Sequence, residues 1–333
     1  MKYSIVLYIS FLFTFCSCSS YLFDDNAMGD PMSTYEEFWT YVDEHYIFFD
    51  LKDIDWEEQK IIAMSQITEQ TTEEELFEIC NQSLLALRDT HCRLTGPGLK
   101  HTPYDFTEGY EVHFSLDNVD DNYIIDSLAQ DGALYYGWLP DNIGYIYFRA
   151  MSQYGGFGRI IREMKDQGAK GLVIDVRNNG GGDSNSIPRL LSDFTQESIL
   201  LGSYVEKAGP GHNDVTELLP ARTDATEYDF DLPVVQIINR GGYSATSYFA
   251  AMAKEITAIT VVGQVTGGGA GGNMGYQLSN GWVVAISVSD YIDVEGSSIE
   301  LGVSPDIVIE NNGADLKSGV DKMLEKAIET LDL

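Results

Sequence analysis

Apolar positions along this 333-residue chain change period near residue 100 and again near 170. At first the spacing is helical: Tyr35, Phe38, Trp39, Val42 and Tyr46 share one face, and Ile61, Ile62, Met64 and Ile67 continue the pattern after Trp56. Trp39 and Trp56 read as core. Thr72-Glu73-Glu74-Glu75 is a capping signature, in which a threonine and the glutamate three residues on satisfy each other's backbone N–H groups. It opens a third helix carrying Leu76, Phe77, Ile79, Leu84, Leu85 and Leu87. Between 103 and 150 the pattern turns β-like, with short runs at 110–116, 122–127 and 145–149 separated by Asp, Asn and Gly. Residues 117–122 read as a solvated hairpin turn, because a calcium loop would need a glycine and a distal glutamate that they lack.

From residue 160 helices and strands alternate. A helix over 160–165 precedes a continuous apolar run at 171–176, then the turn Arg177-Asn178-Asn179-Gly180-Gly181-Gly182-Asp183 and a helix over 187–194. A second apolar run, 233–238, ends in Asn239-Arg240-Gly241-Gly242-Tyr243-Ser244 and is followed by a helix over 248–254. Strands buried on both faces and joined through helices imply a parallel sheet with sites at the carboxyl ends of its strands. The expected organisation is a helical subdomain over 33–100 followed by an α/β domain over 101–333.

The first residues read as targeting sequence. Lys2, an apolar stretch at 5–15 too short to span a bilayer, and Cys16-Ser17-Cys18-Ser19-Ser20 resemble a bacterial lipoprotein signal over 1–18, with Cys18 the lipidated residue. Phe15 stands where an aliphatic residue is usual, so ordinary secretion is the alternative. Residues 19–32 form a polar tether. The expected location is the cell envelope, with the membrane touched only through the lipid. Cys80 and Cys92 remain after processing, and sequence does not say whether they pair; neither has metal-ligand spacing around it. A formal net charge of −32 excludes nucleic acid as a partner, since phosphate binding needs basic surface.

Candidate chemistry concentrates at two places. Ser244 stands between a strand and a helix N-terminus, where unpaired N–H groups and the helix dipole favour an attacking serine and a developing oxyanion. Serine at such a junction also serves simply as a helix cap. His91 follows the third helix in Arg88-Asp89-Thr90-His91, where Thr90 offers a hydroxyl to orient an imidazole; His45, His101, His113 and His212 lack comparable surroundings. Glycines 180–182 supply bare N–H groups for one arm of an oxyanion hole and Ala245 the other. Neither this run nor Gly267-Gly268-Gly269-Ala270-Gly271-Gly272 carries the lysine of a phosphate loop, so no nucleotide, metal or other cofactor is expected.

Three segments in this order resemble the tricorn and C-terminal processing peptidase family of serine peptidases over roughly residues 33–312. They are 171–183, 239–247 and Glu300-Leu301-Gly302-Val303-Ser304-Pro305-Asp306. The resemblance implies a crotonase/ClpP-like α/β core preceded by a helical region, no cofactor, and a peptide or protein substrate. C-terminal processing members pair their serine with a lysine after a Gly-x-x-Thr turn. Here Gly263-Gln264-Val265-Thr266 is followed by glycines, and Lys254 does not match that position. The tricorn-like branch uses a histidine preceded by a hydroxyl residue, plus a glutamate, which maps onto His91, Thr90 and Glu300 with Ser244 as nucleophile. By the same resemblance Gly181 and Ala245 form the oxyanion hole, Glu300 acts on His91 through a hydroxyl, and Asp175, Arg177 and Asn179 brace a turn. The stretch from His91 to Tyr145 is too short for the PDZ domain of many relatives. A non-catalytic binder of peptides or apolar ligands on the same scaffold is the alternative, for which 20 tyrosines and 15 phenylalanines offer lining.

Overall fold

A computed structural model describes residues 29–331 except 112, 153 and 229, so Cys18 and the segment around it lie outside the described residues. The helical region comprises α1 (Pro31–His45), α2 (Phe49–Lys52), α3 (Trp56–Met64) and α4 (Glu73–Ala86). Asp30 caps α1, whose buried face carries Tyr35, Phe38, Trp39 and Val42, and Thr72 with Glu75 forms the expected capping box on α4. The indole N–H groups of Trp39 and Trp56 each donate to the other residue's carbonyl, at 3.0 and 3.2 Å, which satisfies both inside the core. Ile61 and Ile62 are exposed and α3 buries Trp56 and Ala63 instead, because this short helix meets its neighbours through its other face.

After β1 (Arg93–Thr95) the expected strand at 110–116 and hairpin turn at 117–122 are replaced by α5 (Leu116–Tyr123). The Ser115 side chain accepts from the Asn118 N–H and Val119 is fully buried. A cap and one buried anchor outweigh the weak helix propensity of Asp and Asn. Then come β2 (Ile125–Asp131), β3 (Leu134–Leu139), β4 (Ile143–Phe148), α6 (Phe157–Asp166), β5 (Gly171–Asp175), α7 (Ile187–Leu191), β6 (Leu200–Glu206), β7 (Leu219–Arg222), β8 (Val234–Ile238), α8 (Ala245–Ala253) and β9 (Ile259–Gly263). The chain continues through β10 (Gly272–Gln277), β11 (Val283–Ile292), β12 (Ile307–Val308), α9 (Gly313–Lys317) and α10 (Lys322–Thr330).

The main sheet runs β12-β9-β8-β5-β4-β3-β2, parallel from β12 to β4 and antiparallel beyond. Every residue of β4, β5 and β8 is buried, as expected for strands covered on both faces. Leu172 and Ile174 pack into the cluster that includes α6, α7 and α8. Val173 between them packs with Met323, Leu324 and Ala327 of α10 on the opposite face. A second, antiparallel sheet, β1-β11-β6-β7 with β10 also on β11, was not anticipated. It carries the helical region: β1 follows His91 and pairs with β11, and the Ile47 N–H donates to the Ser287 carbonyl on β11. Helical residues and sheet residues share one hydrophobic cluster.

A buried lock closes the turn after β5. The Arg177 guanidinium donates through Nε and Nη2 to Asp175 and through Nη1 to both oxygens of Asp321, the N-cap residue of α10. Tyr145 and Asn311 complete the carboxylates, and the guanidinium lies 4.4 Å over the Phe114 ring. Cys80 and Cys92 are both buried free thiols.

Candidate active site

The strand β8 delivers its chain end to a turn that tolerates little but glycine. A Cβ on Gly241 would lie 2.4 Å from the Asn178 side chain, and the Gly242 N–H bonds to the Asn239 carbonyl. Ser244 then takes φ 56° and ψ −126°, a conformation that costs a non-glycine residue about 1–3 kcal/mol and persists where surroundings hold it. The holding groups are identifiable. The Ser244 N–H donates to the Gly268 carbonyl at 2.8 Å, and Ser247 of α8 donates to the same carbonyl at 2.8 Å. The Tyr248 hydroxyl bonds to the Ala270 carbonyl. The Ser244 side chain makes no cap bond to α8. Its Oγ instead lies 3.1 Å from Nε2 of His91.

His91 arrives from the far side, beyond the end of α4. The Asp89 carboxylate accepts the His91 backbone N–H at 2.8 Å, and Tyr243 packs its ring against the imidazole with centroids 5.0 Å apart. Phe106 stacks on Tyr243 at 4.3 Å. Burial, the largest influence, lowers the His91 pKa; Asp89 opposes that, and Lys52 and Arg93 add to it. An imidazole so placed is neutral at neutral pH and able to accept the serine proton.

The remaining residues singled out from sequence are placed as follows. The Thr90 hydroxyl donates to the Tyr104 carbonyl at 2.8 Å. Glu300 is buried, but its carboxylate meets Lys52 Nζ at 2.6 Å and the Ala270 N–H at 2.7 Å, and makes no bond to His91 or Thr90. It thereby anchors the glycine loop that holds Ser244, a loop also tied by the Gly269 N–H to the Glu300 carbonyl. Burial, and then the neighbouring Asp89, push the Glu300 pKa upward against the pull of Lys52. Gly181 adopts φ 99° directly against Ser244, where a Cβ would stand 2.8 Å from Ser244 Cβ. Its N–H is committed to the Asn179 side chain at 2.9 Å. The N–H groups of Ala245 and Gly182 have no acceptor among the described residues. Lys254 binds the Ser304 carbonyl and Asp306 and does not reach Ser244.

Asp89 and Lys52 belong to this site and were missed from sequence. Asp89 carried a local signal, two residues before a singled-out histidine; Lys52, the last residue of a one-turn helix, carried none. Among the described residues no group of three or more His, Cys, Asp or Glu side chains is arranged to hold a metal ion. A cavity of about 240 Å³ opens beside Tyr243, lined by Arg88, Tyr104, Phe106, Arg240 and Leu301.

An α/β core that stations a serine hydroxyl within reach of an imidazole, at the start of a helix, resembles the arrangement of serine-type hydrolases. Comparison with known proteins narrows the class. Residues 142–309 match peptidase family S41. The chain is 27% identical over 196 residues to the carboxyl-terminal-processing protease of Synechocystis sp., covering 57% of this chain and 44% of that protein. It is 27% identical over 220 residues to the tricorn protease of Thermoplasma volcanium, covering 62% of this chain and 20% of that protein. The chain thus spans less than half the length of these curated relatives. The solved structure of a candidate peptidase from Parabacteroides merdae superposes with a TM-score of 0.83 at 32% identity, covering 91% of this chain and 97% of that one. The chain belongs to peptidase family S41, a family of serine-type peptidases.

Proposed function

We propose that the protein hydrolyses peptide bonds with Ser244 as nucleophile and His91 as general base. The observation that carries this reading is the 3.1 Å contact between Ser244 Oγ and His91 Nε2, made by two elements distant in sequence and by a serine held in a strained conformation. Ser244 Oγ attacks the peptide carbonyl while Nε2 takes its proton. The imidazolium gives that proton to the leaving amine, and an acyl-enzyme remains. A water molecule, deprotonated by His91, then releases the acid and returns the proton to Ser244. The oxyanion rests on the Ala245 N–H at the start of α8 and on the glycine turn. With the Gly181 N–H occupied by Asn179, Gly182 is the better-supported second donor and Gly181 the residue whose missing side chain makes the approach possible. Such a donor contributes about 2.7–4 kcal/mol to the transition state. Glu300 supports the site by anchoring the loop under Ser244. A peptide-binding role without cleavage is less well supported, since both reacting side chains are present and in register.

The test is incubation of the chain from Ser19 with a diverse peptide pool, cleavages being mapped by mass spectrometry beside Ser244→Ala and His91→Ala. Cleavage that disappears in both variants supports the reading; cleavage that persists in either overturns it. Envelope anchoring through Cys18 rests on residues 1–18 alone, and lipid labelling abolished in Cys18→Ser would support it.

A further inference from the structure

We propose that Asp89 is the carboxylate that positions His91, and that Lys52, reaching in from α2, is the buried cation that holds Asp89 in place and sets the charge at the imidazole. The inference deepens the reading of His91 as general base and rests on it. Three elements fix Asp89. One oxygen accepts the His91 N–H at 2.8 Å, and the other accepts from Tyr46, the residue that ends α1, at 3.2 Å and from Ser287 of β11 at 2.8 Å. The carboxylate therefore has no freedom to swing away. Its oxygen lies 3.8 Å from His91 Nδ1, a buried nitrogen with no hydrogen-bond partner among the described residues. An unpaired imidazole nitrogen facing a fixed carboxylate is arranged to gain when the ring becomes positive, and the ring becomes positive only when Nε2 has taken the serine proton.

The Lys52 ammonium group is enclosed by Glu300 at 2.6 Å, the Tyr46 hydroxyl at 3.0 Å, the Arg88 and Leu87 carbonyls at 3.1 and 3.2 Å, and Asp89 at 3.8 Å. The Lys52 and Glu300 side chains are each 2% exposed and that of Asp89 is 0% exposed. One cation is thus shared by two buried carboxylates, only one of which faces the histidine. Without Lys52 the full charge of Asp89 would bear on the imidazole and hold it protonated to higher pH. Without Asp89 the ring would face Lys52 and Arg93 unopposed. Tyr243 and Ser244 from the nucleophile turn also meet the ring, and the Asn273 side chain of β10 donates to the His91 backbone carbonyl at 3.4 Å. Thr90 has its hydroxyl on Tyr104, so the residue acting on His91 is the one before it.

The experiment is an NMR titration of the His91 ring, assigned by the signal lost in His91→Gln and recorded in the Ser244→Ala chain. This readout needs no turnover, so its failure is distinct from failure of the peptidase reading. Asp89→Asn is expected to lower the His91 midpoint by about one pH unit, as loss of an opposite charge within 4–6 Å does, and Lys52→Met to raise it. Because Lys52→Met strands two carboxylates and endangers folding, Lys52→Met with Glu300→Gln is the second variant. It is expected to melt higher than Lys52→Met alone and still to show the raised midpoint. A His91 midpoint that stays put in folded Asp89→Asn and in the folded double variant would overturn the proposal, as would shifts of the opposite sign.

Discussion

Arg177 and Lys52 each sit buried between two carboxylates, yet the two clusters are finished differently. Around Arg177 every partner is consumed: the guanidinium forks onto Asp175 and Asp321, and Tyr145 and Asn311 take up remaining oxygens. The planar fork suits a permanent joint, here between the end of β5 and the start of α10. Around Lys52 one place is left open. Asp89 faces His91 Nδ1 across 3.8 Å, with no hydrogen bond to fill the gap. A compact ammonium on a flexible stem, shared unequally between Asp89 and Glu300, leaves charge available to a neighbour. Similar sets of side chains, one cation between two acidic groups, therefore give a lock in one place and, on the proposal above, an electrostatic support for His91 in the other. The difference lies in whether the polar groups are exhausted.

The comparison can be broken most forcefully by removing the two cations. Arg177→Met and Lys52→Met should each destabilise the fold by about 3–5 kcal/mol in urea melts, since each strands buried carboxylates. Only Lys52→Met should also move the His91 titration. If Arg177→Met moves it equally, the distinction between lock and support is lost.

Glu300 sharpens the contrast through pH. Burial and Asp89 raise its pKa from 4.5 to about 8. A carboxyl whose folded value lies above its unfolded one binds its proton more tightly when folded. Its stabilising contribution is complete below about pH 4.5 and lost as pH rises through about 8. Asp290, raised to about 6 by burial, gives a similar trend over a lower window, so the difference between the native chain and Glu300→Gln is the informative quantity. That variant should gain stability relative to the native chain between pH 5 and pH 8, measured by thermal melts. A constant difference would argue against a protonated Glu300 in the fold.

Smaller effects follow at the glycine turn and at Thr90. Gly181→Ala would press a Cβ against Ser244 and the Ala245 N–H from a backbone at φ 99°. Misplacement of about 1 Å costs on the order of 10²-fold in rate, so kcat should fall by about that factor in peptide assays. Thr90→Val removes a hydroxyl bonded to the Tyr104 carbonyl. It should cost about 1 kcal/mol of stability and change kcat less than Asp89→Asn does. A larger kcat loss in Thr90→Val would return the orienting role to the hydroxyl.

What was legible in the sequence divides along the same line between local and assembled features. β5, β8 and α8 announced themselves, because strands buried on both faces must be continuously apolar and a sharp turn between strand and helix must be glycine-rich. That reading also led to Ser244 and His91, which the fold brings within hydrogen-bond distance. The antiparallel sheet was not visible, since β10 is exposed throughout and β11 owes its burial to partners far along the chain. α5 was hidden by Asp and Asn residues that favour turns in isolation. Lys52 gave no signal either. A lone lysine ending a one-turn helix becomes informative only when Tyr46, Asp89 and Glu300 close around it.

Whether Ser244 is a nucleophile activated by His91 can be read with a fluorophosphonate, which labels a serine only when it is activated. Peptide mapping of the labelled native chain should place the adduct on Ser244, with labelling abolished in Ser244→Ala and much slower in His91→Ala. An unlabelled native chain that is demonstrably folded, or an adduct on another serine such as Ser247, would contradict the account.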